Sequence, residues 1–322
     1  MGKKLLEVRD LKTHLFTRRG VIKAVDGVSF SVDKNETLGL VGESGCGKTI
    51  TCLSILKLLP NPVGQIVGGK IIFDNVDLLS KSEKEMRKIR GRRISMILQD
   101  PMTSLDPLFT IGEQIAEPIR SHQNLERTNL RKKIIEMLKL VKISAPEARI
   151  KEYPFQMSGG MRQRIVGAIA LSCQPDLLIA DEPTTALDVT IQAQFMRLLK
   201  EIQQEFNMAM IMITHDFGIV AKVCDRVAVM YSGKIVESAG VRDLFNHPLH
   251  PYTKALMGAL PKMEEDMEKL TTIDGQPPDL GHLPPGCNFA ARCPEVKEIC
   301  RCDSPILSEI NDGHVVSCLR VQ

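Results

Sequence analysis

The sequence predicts an α/β fold around a largely parallel sheet, and three observations lead there. First, a glycine-rich stretch, Gly42-Glu43-Ser44-Gly45-Cys46-Gly47-Lys48-Thr49, follows the short apolar run Thr37-Leu38-Gly39-Leu40-Val41. Apolar residues at helical spacing succeed it over residues 50–59, giving the order strand, loop, helix. Second, apolar runs at residues 177–180 and 208–213 stop abruptly at Asp181-Glu182 and Thr214-His215-Asp216, as buried parallel strands do where their carboxyl ends open onto a site. Third, residues 111–121 and 129–141 have helical periodicity, which reads as a helical insertion into the α/β core.

The glycine loop fits the pattern G-x-x-x-x-G-K-[ST] at every fixed position. A polyphosphate needs several backbone N–H groups turned inward, and Gly42, Gly45 and Gly47 allow that curvature without Cβ clashes. Lys48 supplies a point charge for the β- and γ-phosphates, the Thr49 hydroxyl a ligand for Mg²⁺, and the helix N-terminus a partial positive charge. Nucleotide binding follows from this chemistry.

Composition bounds the rest. With 322 residues the chain can bury a large core, as one large domain or two smaller ones. Its net charge of +3 makes no electrostatic case for nucleic acid, and Arg90-Gly91-Arg92-Arg93 reads as a solvated face. The start of the chain is basic but passes into charge and not into a continuous apolar stretch, so it does not read as a secretory signal. No apolar run approaches the roughly 20 residues needed to span a bilayer, so a membrane role would come through a partner. Of nine cysteines, five crowd between Cys287 and Cys318.

In chain order, residues 5–11 and 28–32 alternate apolar with polar, which predicts antiparallel strands ahead of the phosphate loop. Phe16, between them, has two readings: a platform for adenine, or plain core. Residues 68–73 and 94–98 read as strands, the second ending at Gln99 before the proline-broken loop 99–107. Ser158 is placed to cap a helix running to about Ser172, whose first N–H groups Gly159 and Gly160 leave open. Asp181 is positioned to hold Mg²⁺ and Glu182 to accept a proton from attacking water. Ala186-Leu187-Asp188 forms a turn before a helix over residues 190–206, and His215, at the end of a third parallel strand, is placed for a γ-phosphate contact. Residues 227–230 and 234–237 form a hairpin across Tyr231-Ser232-Gly233. Residues 260–285 read as a linker. The cysteine-bearing segment beyond it has no room for a hydrophobic core of its own, so something other than apolar burial is expected to hold it together.

Together these motifs resemble the ATPase subunits of ABC transporters, over about the first 260 residues. The residues are the Walker A loop 42–49, the Q-loop Gln99, the signature Met157-Ser158-Gly159-Gly160-Met161, Walker B with Asp181 and Glu182, the D-loop at 186–188 and the switch His215. The resemblance implies an ABC-type P-loop nucleotide-binding domain over residues 1–260, with a RecA-like core, an antiparallel β subdomain and a helical subdomain at about 102–174, then a linker and cysteine-rich extension over 261–322. It implies ATP and Mg²⁺ as cofactors, with Thr49, Gln99 and Asp181 at the metal and Glu182, His215 and Gln99 in catalysis. Phe16, Gly42, Ser44, Gly45, Cys46, Gly47, Lys48 and Thr49 would contact the nucleotide, and a second ATPase subunit would complete each site through Ser158, Gly159, Gly160 and Asp188.

Met161 stands where Gln is commoner, as is usual in the oligopeptide/dipeptide importer branch. His247-Pro248-Leu249-His250-Pro251-Tyr252-Thr253, Leu283-Pro284-Pro285-Gly286-Cys287 and the cysteine tail also look like that branch. The implied role is ATP hydrolysis at the cytoplasmic face of the cell membrane, energising di- or oligopeptide import through separate permease subunits coupled by Gln99 and the helical insertion. The implied partners include a second, different ATPase subunit and, indirectly, an extracytoplasmic substrate-binding protein. Nickel is the alternative cargo. Soluble ABC ATPases acting on nucleic acid carry two cassettes or a long coiled coil, neither present here, and a non-catalytic regulator would not need Glu182 and His215. The tail is similar to family members that hold a [4Fe–4S] cluster on four cysteines, which by resemblance are Cys287, Cys293, Cys300 and Cys318. Cys302 leaves open whether it or Cys300 is the ligand, and zinc or unliganded thiols remain the alternatives.

Overall fold

The computed structural model describes residues 3–184, 187–259, 273–311 and 313–321. Their strands are β1 (Lys4–Thr17), β2 (Gly20–Asp33), β3 (Thr37–Val41), β4 (Gly64–Phe73), β5 (Val76–Asp77), β6 (Ile94–Ile97), β7 (Leu177–Asp181), β8 (Ala209–Ile213), β9 (Arg226–Tyr231), β10 (Lys234–Gly240), β11 (Ser308–Asn311) and β12 (His314–Val316). The chain forms two compact units, each discontinuous in sequence: Met1–Leu5, Val32–Thr37 and Ser80–Thr214 in one, Leu6–Ser31, Leu38–Leu79 and His215–Gln322 in the other.

In the first unit β6, β7 and β8 run parallel, with Ile94 opposite Leu177 and Leu177 opposite Ala209. Every residue of β7 and β8 is buried. Their unbroken apolar sequences suit a parallel strand covered on both faces, where alternation would place polar groups in the core. The insertion consists mainly of the helices Ile111–His122, Arg127–Leu140 and Gly159–Leu171. Thr110 and Glu113 close a capping box at the first, and its buried Ile111, Ile115 and Ile119 follow the four-residue spacing of one helix face. The second helix buries Leu130, Ile134 and Leu138 at the same spacing.

In the second unit one sheet has the order β2-β1-β4-β5, with β1 antiparallel to β4. Elsewhere in it β3 pairs in parallel with β9, from Leu38 opposite Arg226 to Val41 opposite Val229. A hairpin joins β9 to β10 through Ser232 (φ 44°) and Gly233 (φ 80°), two left-handed residues as a type I′ turn requires. The helix after the phosphate loop stops at Ile55, short of the predicted Leu59, because Lys57 turns left-handed (φ 51°) ahead of Pro60.

The extension departs from the sequence expectation. It does not stand alone: β12 pairs with β10, Glu237 opposite Val316, and β11 pairs with β12. Phe289 is 1% exposed, with ring centroids 5.2 Å from Tyr231 and 5.4 Å from Tyr252. His314 Nε2 lies 2.7 Å from Glu237 Oε1, and the same carboxylate accepts the amides of Leu249 and His250. Apolar burial does hold this segment, in a core it shares with residues 226–252. Counting its own apolar residues could not reveal that. Of the predicted linker, residues 260–272 lie outside the described residues, as does Ala186 of the D-loop.

Candidate active site

Strand β3, buried throughout, delivers the chain into the phosphate loop. Gly42 and Gly47 take φ of 148° and 104°, and a Cβ on either would lie 2.2 Å from a carbonyl oxygen, Met230 O or Ala24 O respectively. Gly45 (φ 77°) has open space beside it, so conformation alone calls for glycine there. Lys48 is 6% exposed. Its Nζ donates to the carbonyls of Gly42 (2.8 Å) and Glu43 (2.9 Å) and lies 3.6 Å from Cys46 Sγ. Neutral acceptors leave this buried cation's charge to be balanced by an anion, which is how the loop fits a phosphate. Burial pushes the Cys46 thiol up, with Lys48 opposing. The helix Lys48–Ile55 has Gly47 as its N-cap and no side-chain cap, so no side chain competes with a ligand for its first amides. Thr49 is half-buried, Ser44 exposed. Phe16 is 41% exposed, 6.4 Å from the His14 ring, which excludes the plain-core reading.

In the first unit Asp181 ends β7, 1% exposed, opposite Ile213. Glu182 follows in the left-handed region (φ 44°), its amide donating to Ile213 O at 2.9 Å. That conformation costs a non-glycine residue about 1 kcal/mol, and it turns the carboxylate out of the strand. Gln99 Nε2 donates to Glu182 Oε2 at 3.0 Å, so the structure brings together two predicted residues from distant parts of the chain. Ser158 Oγ accepts from the Met161 amide at 3.3 Å and caps the helix Gly159–Leu171. A Cβ on Gly160 would meet Ile191 Cγ2 at 2.9 Å, whereas Gly159 is exposed. Asp188 caps Val189–Glu205 by accepting from Ile191 N at 2.9 Å.

Sequence reasoning missed Gln163. It is fully buried, and its Nε2 donates to Pro183 O, tying the signature helix to the turn after Glu182. The available signal was a polar side chain at a buried helical position. His215, in the second unit, is exposed, directly before Asp216, which caps Phe217–Val223.

Cys287, Cys293, Cys300 and Cys318 line one small cavity together with His250 and Phe289. Cys302 is exposed and not among the lining residues. Burial, then the neighbouring thiols, push the Cys287 thiol up. Burial also lowers His250 to about 4, which keeps its ring neutral, with Nδ1 accepting the Tyr252 amide. Among the described residues no three His, Cys, Asp or Glu side chains converge as ligands of one metal ion.

Residues 25–185 match the ABC transporter family, and residues 236–300 match the oligopeptide/dipeptide transporter C-terminal region. The dipeptide transport ATP-binding protein DppD of Bacillus subtilis (strain 168) is 52% identical over 315 residues, covering 98% of this chain and 94% of that protein. The oligopeptide transport ATP-binding protein OppD of Escherichia coli (strain K12) is 46% identical over 316 residues, covering 98% and 93%. Among solved structures, the dimeric ATP-binding cassette MJ0796 in a post-hydrolysis state bound to ADP and Pi superposes with a TM-score of 0.66 at 26% identity, covering 74% of this chain and 99% of that one. With a glycine loop built for phosphates, an acidic pair at the end of a buried strand and end-to-end relatives of this kind, the chain belongs to the ABC transporter ATP-binding proteins and is an ATP hydrolase.

Proposed function

We propose that this chain is the ATP-hydrolysing subunit that energises import of di- or oligopeptides through separate membrane permease subunits, bound peripherally at the cytoplasmic face of the membrane. The observation that carries this reading is the match of residues 236–300 to the oligopeptide/dipeptide C-terminal region, within relatives named for dipeptide and oligopeptide transport. No helix among the described residues is long and apolar enough to cross a membrane. In this reading the translocation path belongs to other chains. Residues 1–260 form the nucleotide-binding domain, with the helical subdomain at about 102–174, and residues 261–322 the linker and extension.

Within it, Lys48 and the amides of residues 42–48 take the β- and γ-phosphates, and Phe16 offers its exposed ring to adenine. Thr49, Asp181 and Gln99 hold Mg²⁺, which when bound neutralises phosphate charge. Glu182 accepts a proton from the attacking water, its carboxylate oriented by Gln99, and His215 contacts the γ-phosphate. Ser158, Gly159, Gly160 and Asp188 complete the site of a second, different ATPase subunit. The dimeric state of the solved cassette supports pairing with a second ATPase subunit. A substrate-binding protein outside the membrane supplies the peptide.

The extension would hold a [4Fe–4S] cluster on Cys287, Cys293, Cys300 and Cys318. The shared cavity supports this set and leaves Cys302 out. In such a cluster each thiolate meets a different iron, so the thiols surround a volume and do not converge on one ion. When bound it would cross-link the ends of the extension.

The test is reconstitution of the chain with its co-purifying permease and partner ATPase in proteoliposomes. ATP-dependent uptake of di- or oligopeptides is expected. Uptake of nickel without peptide would replace the cargo, and no ATP-dependent uptake of either would overturn the reading.

A further inference from the structure

Beyond these roles, we infer that Arg292, in the cysteine-bearing extension, is a positioning residue for the phosphate loop and sets ATP affinity through Glu43. Its guanidinium reaches a residue 249 positions earlier with both arms, Nη1 to Oε2 at 2.7 Å and Nη2 to Oε1 at 2.9 Å. The Arg292 side chain is 5% exposed and that of Glu43 27%. A paired fork in this setting is among the stronger polar contacts a protein makes. Arg292 is itself anchored. Nε donates to Asp274 O at 3.0 Å, Nη2 to Ile273 O at 3.3 Å and Nη1 to the Tyr231 hydroxyl at 3.4 Å, and the guanidinium lies 5.8 Å from the Tyr231 ring centroid. It therefore acts as a fixed post.

Glu43 is the residue through which that post is felt. Its amide donates to the Tyr252 hydroxyl at 2.9 Å, and its carbonyl accepts from Lys48 Nζ at 2.9 Å. Releasing the side chain frees the carbonyl that locates the Lys48 ammonium. A second consequence is electrostatic. Glu43 is an anion inside a loop that must accept a polyphosphate, and Arg292 neutralises it; alone, the carboxylate would oppose the ligand. Residue 292 is in turn fixed by its flanks, with Phe289 packed on Tyr231 and Tyr252 and Cys287 and Cys293 at the thiol cavity. The condition of the extension thus reaches the phosphate loop through this ion pair, whatever the thiols bind.

The experiment uses the full chain. Calorimetric titration with ATP and Mg²⁺ gives Kd, and ATPase kinetics in the assembled transporter give KM and kcat. Arg292→Gln should raise Kd and KM for ATP about five- to tenfold with kcat at saturating ATP little changed. Arg292→Lys should recover only part, because an ammonium lacks the fork. Glu43→Gln with Arg292→Gln should bind no more weakly than Arg292→Gln alone, since the unpaired carboxylate is gone. Arg301→Gln, an exposed change in the same extension, should bind ATP as the parent does. A folded Arg292→Gln chain with unaltered Kd, a fall in kcat without a rise in KM, or additive losses in the double variant would overturn the inference. Should Arg292→Gln fail to fold, Arg292→Lys tests it, because the ammonium keeps the charge and loses the fork; a folded Arg292→Lys chain with unaltered Kd is equally fatal.

Discussion

The phosphate loop and the cysteine-bearing extension sit in the same unit, yet they are specified in opposite ways. The loop's motif lies in eight consecutive residues, with Lys48 held by the loop's own carbonyls, and distant segments enter only as the Met230 and Ala24 carbonyls that bar a Cβ at Gly42 and Gly47 and as the partners of Glu43. The extension is set from outside itself, by β10 along its backbone, by Tyr231 and Tyr252 around Phe289, and by Glu237 at His314. A local motif survives in the sequence as a readable word. A docked segment leaves only half of each contact in any one stretch.

The most disruptive way to break this contrast is Phe289→Ala. Removing a fully buried ring from the shared aromatic core should cost about 3–5 kcal/mol. Limited proteolysis should then cut the extension first. Proteolysis at unchanged sites and rates would mean that the aromatic core does not hold the extension.

Next in size, Glu182→Gln should lower ATP turnover in the assembled transporter by a factor of about 10² or more while leaving ATP binding in place. Lys48→Ala should instead weaken binding. Parental hydrolysis by the Glu182→Gln complex would remove Glu182 from the base role. Smaller again, His314→Ala takes from the buried Glu237 carboxylate one of three partners, at a cost of about 1–3 kcal/mol. Amide exchange should quicken at β11 and β12 before it does at β3 and β9; uniform exchange across those strands would show that the pair does not fasten the edge.

Legibility follows the same divide. The glycine loop, the apolar strands ending at Asp181 and Ile213, the Ser158 cap and the hairpin turn at Ser232-Gly233 could be read because each is complete within a few residues. The motif order that resembled ABC ATPases is matched by the family comparison over residues 25–185. What escaped needs a distant partner. Gln163 is explained only by Pro183, Arg292 only by Glu43, and strands β11 and β12 only by the edge that β10 offers. The expectation that the extension lacks apolar support failed for that reason: Phe289 and Val316 are buried, but in a core built mainly by other segments.

The smallest effect is expected at Cys302, and it separates the thiols by geometry. Cys300 and Cys318 are each 8% exposed and line the same cavity as Cys287 and Cys293, whereas Cys302 is exposed outside it. Its chain neighbour Cys300 shows why spacing could not choose between them: two residues along the short helix Ile299–Cys302 turn the side chain to a different face. Anaerobically purified chain should be brown, with iron and acid-labile sulfide near four each if the centre is [4Fe–4S]. Cys318→Ser should bleach it and expose the extension to protease, and Cys300→Ser should do the same. Cys302→Ser should leave colour, iron content and proteolytic resistance as they were. Bleaching at Cys302 together with retained iron at Cys300 would exchange the two ligands. A colourless parent with one zinc per chain would replace the cluster while keeping the cross-link, and a metal-free parent would leave the extension held by β10, Phe289 and Glu237 alone.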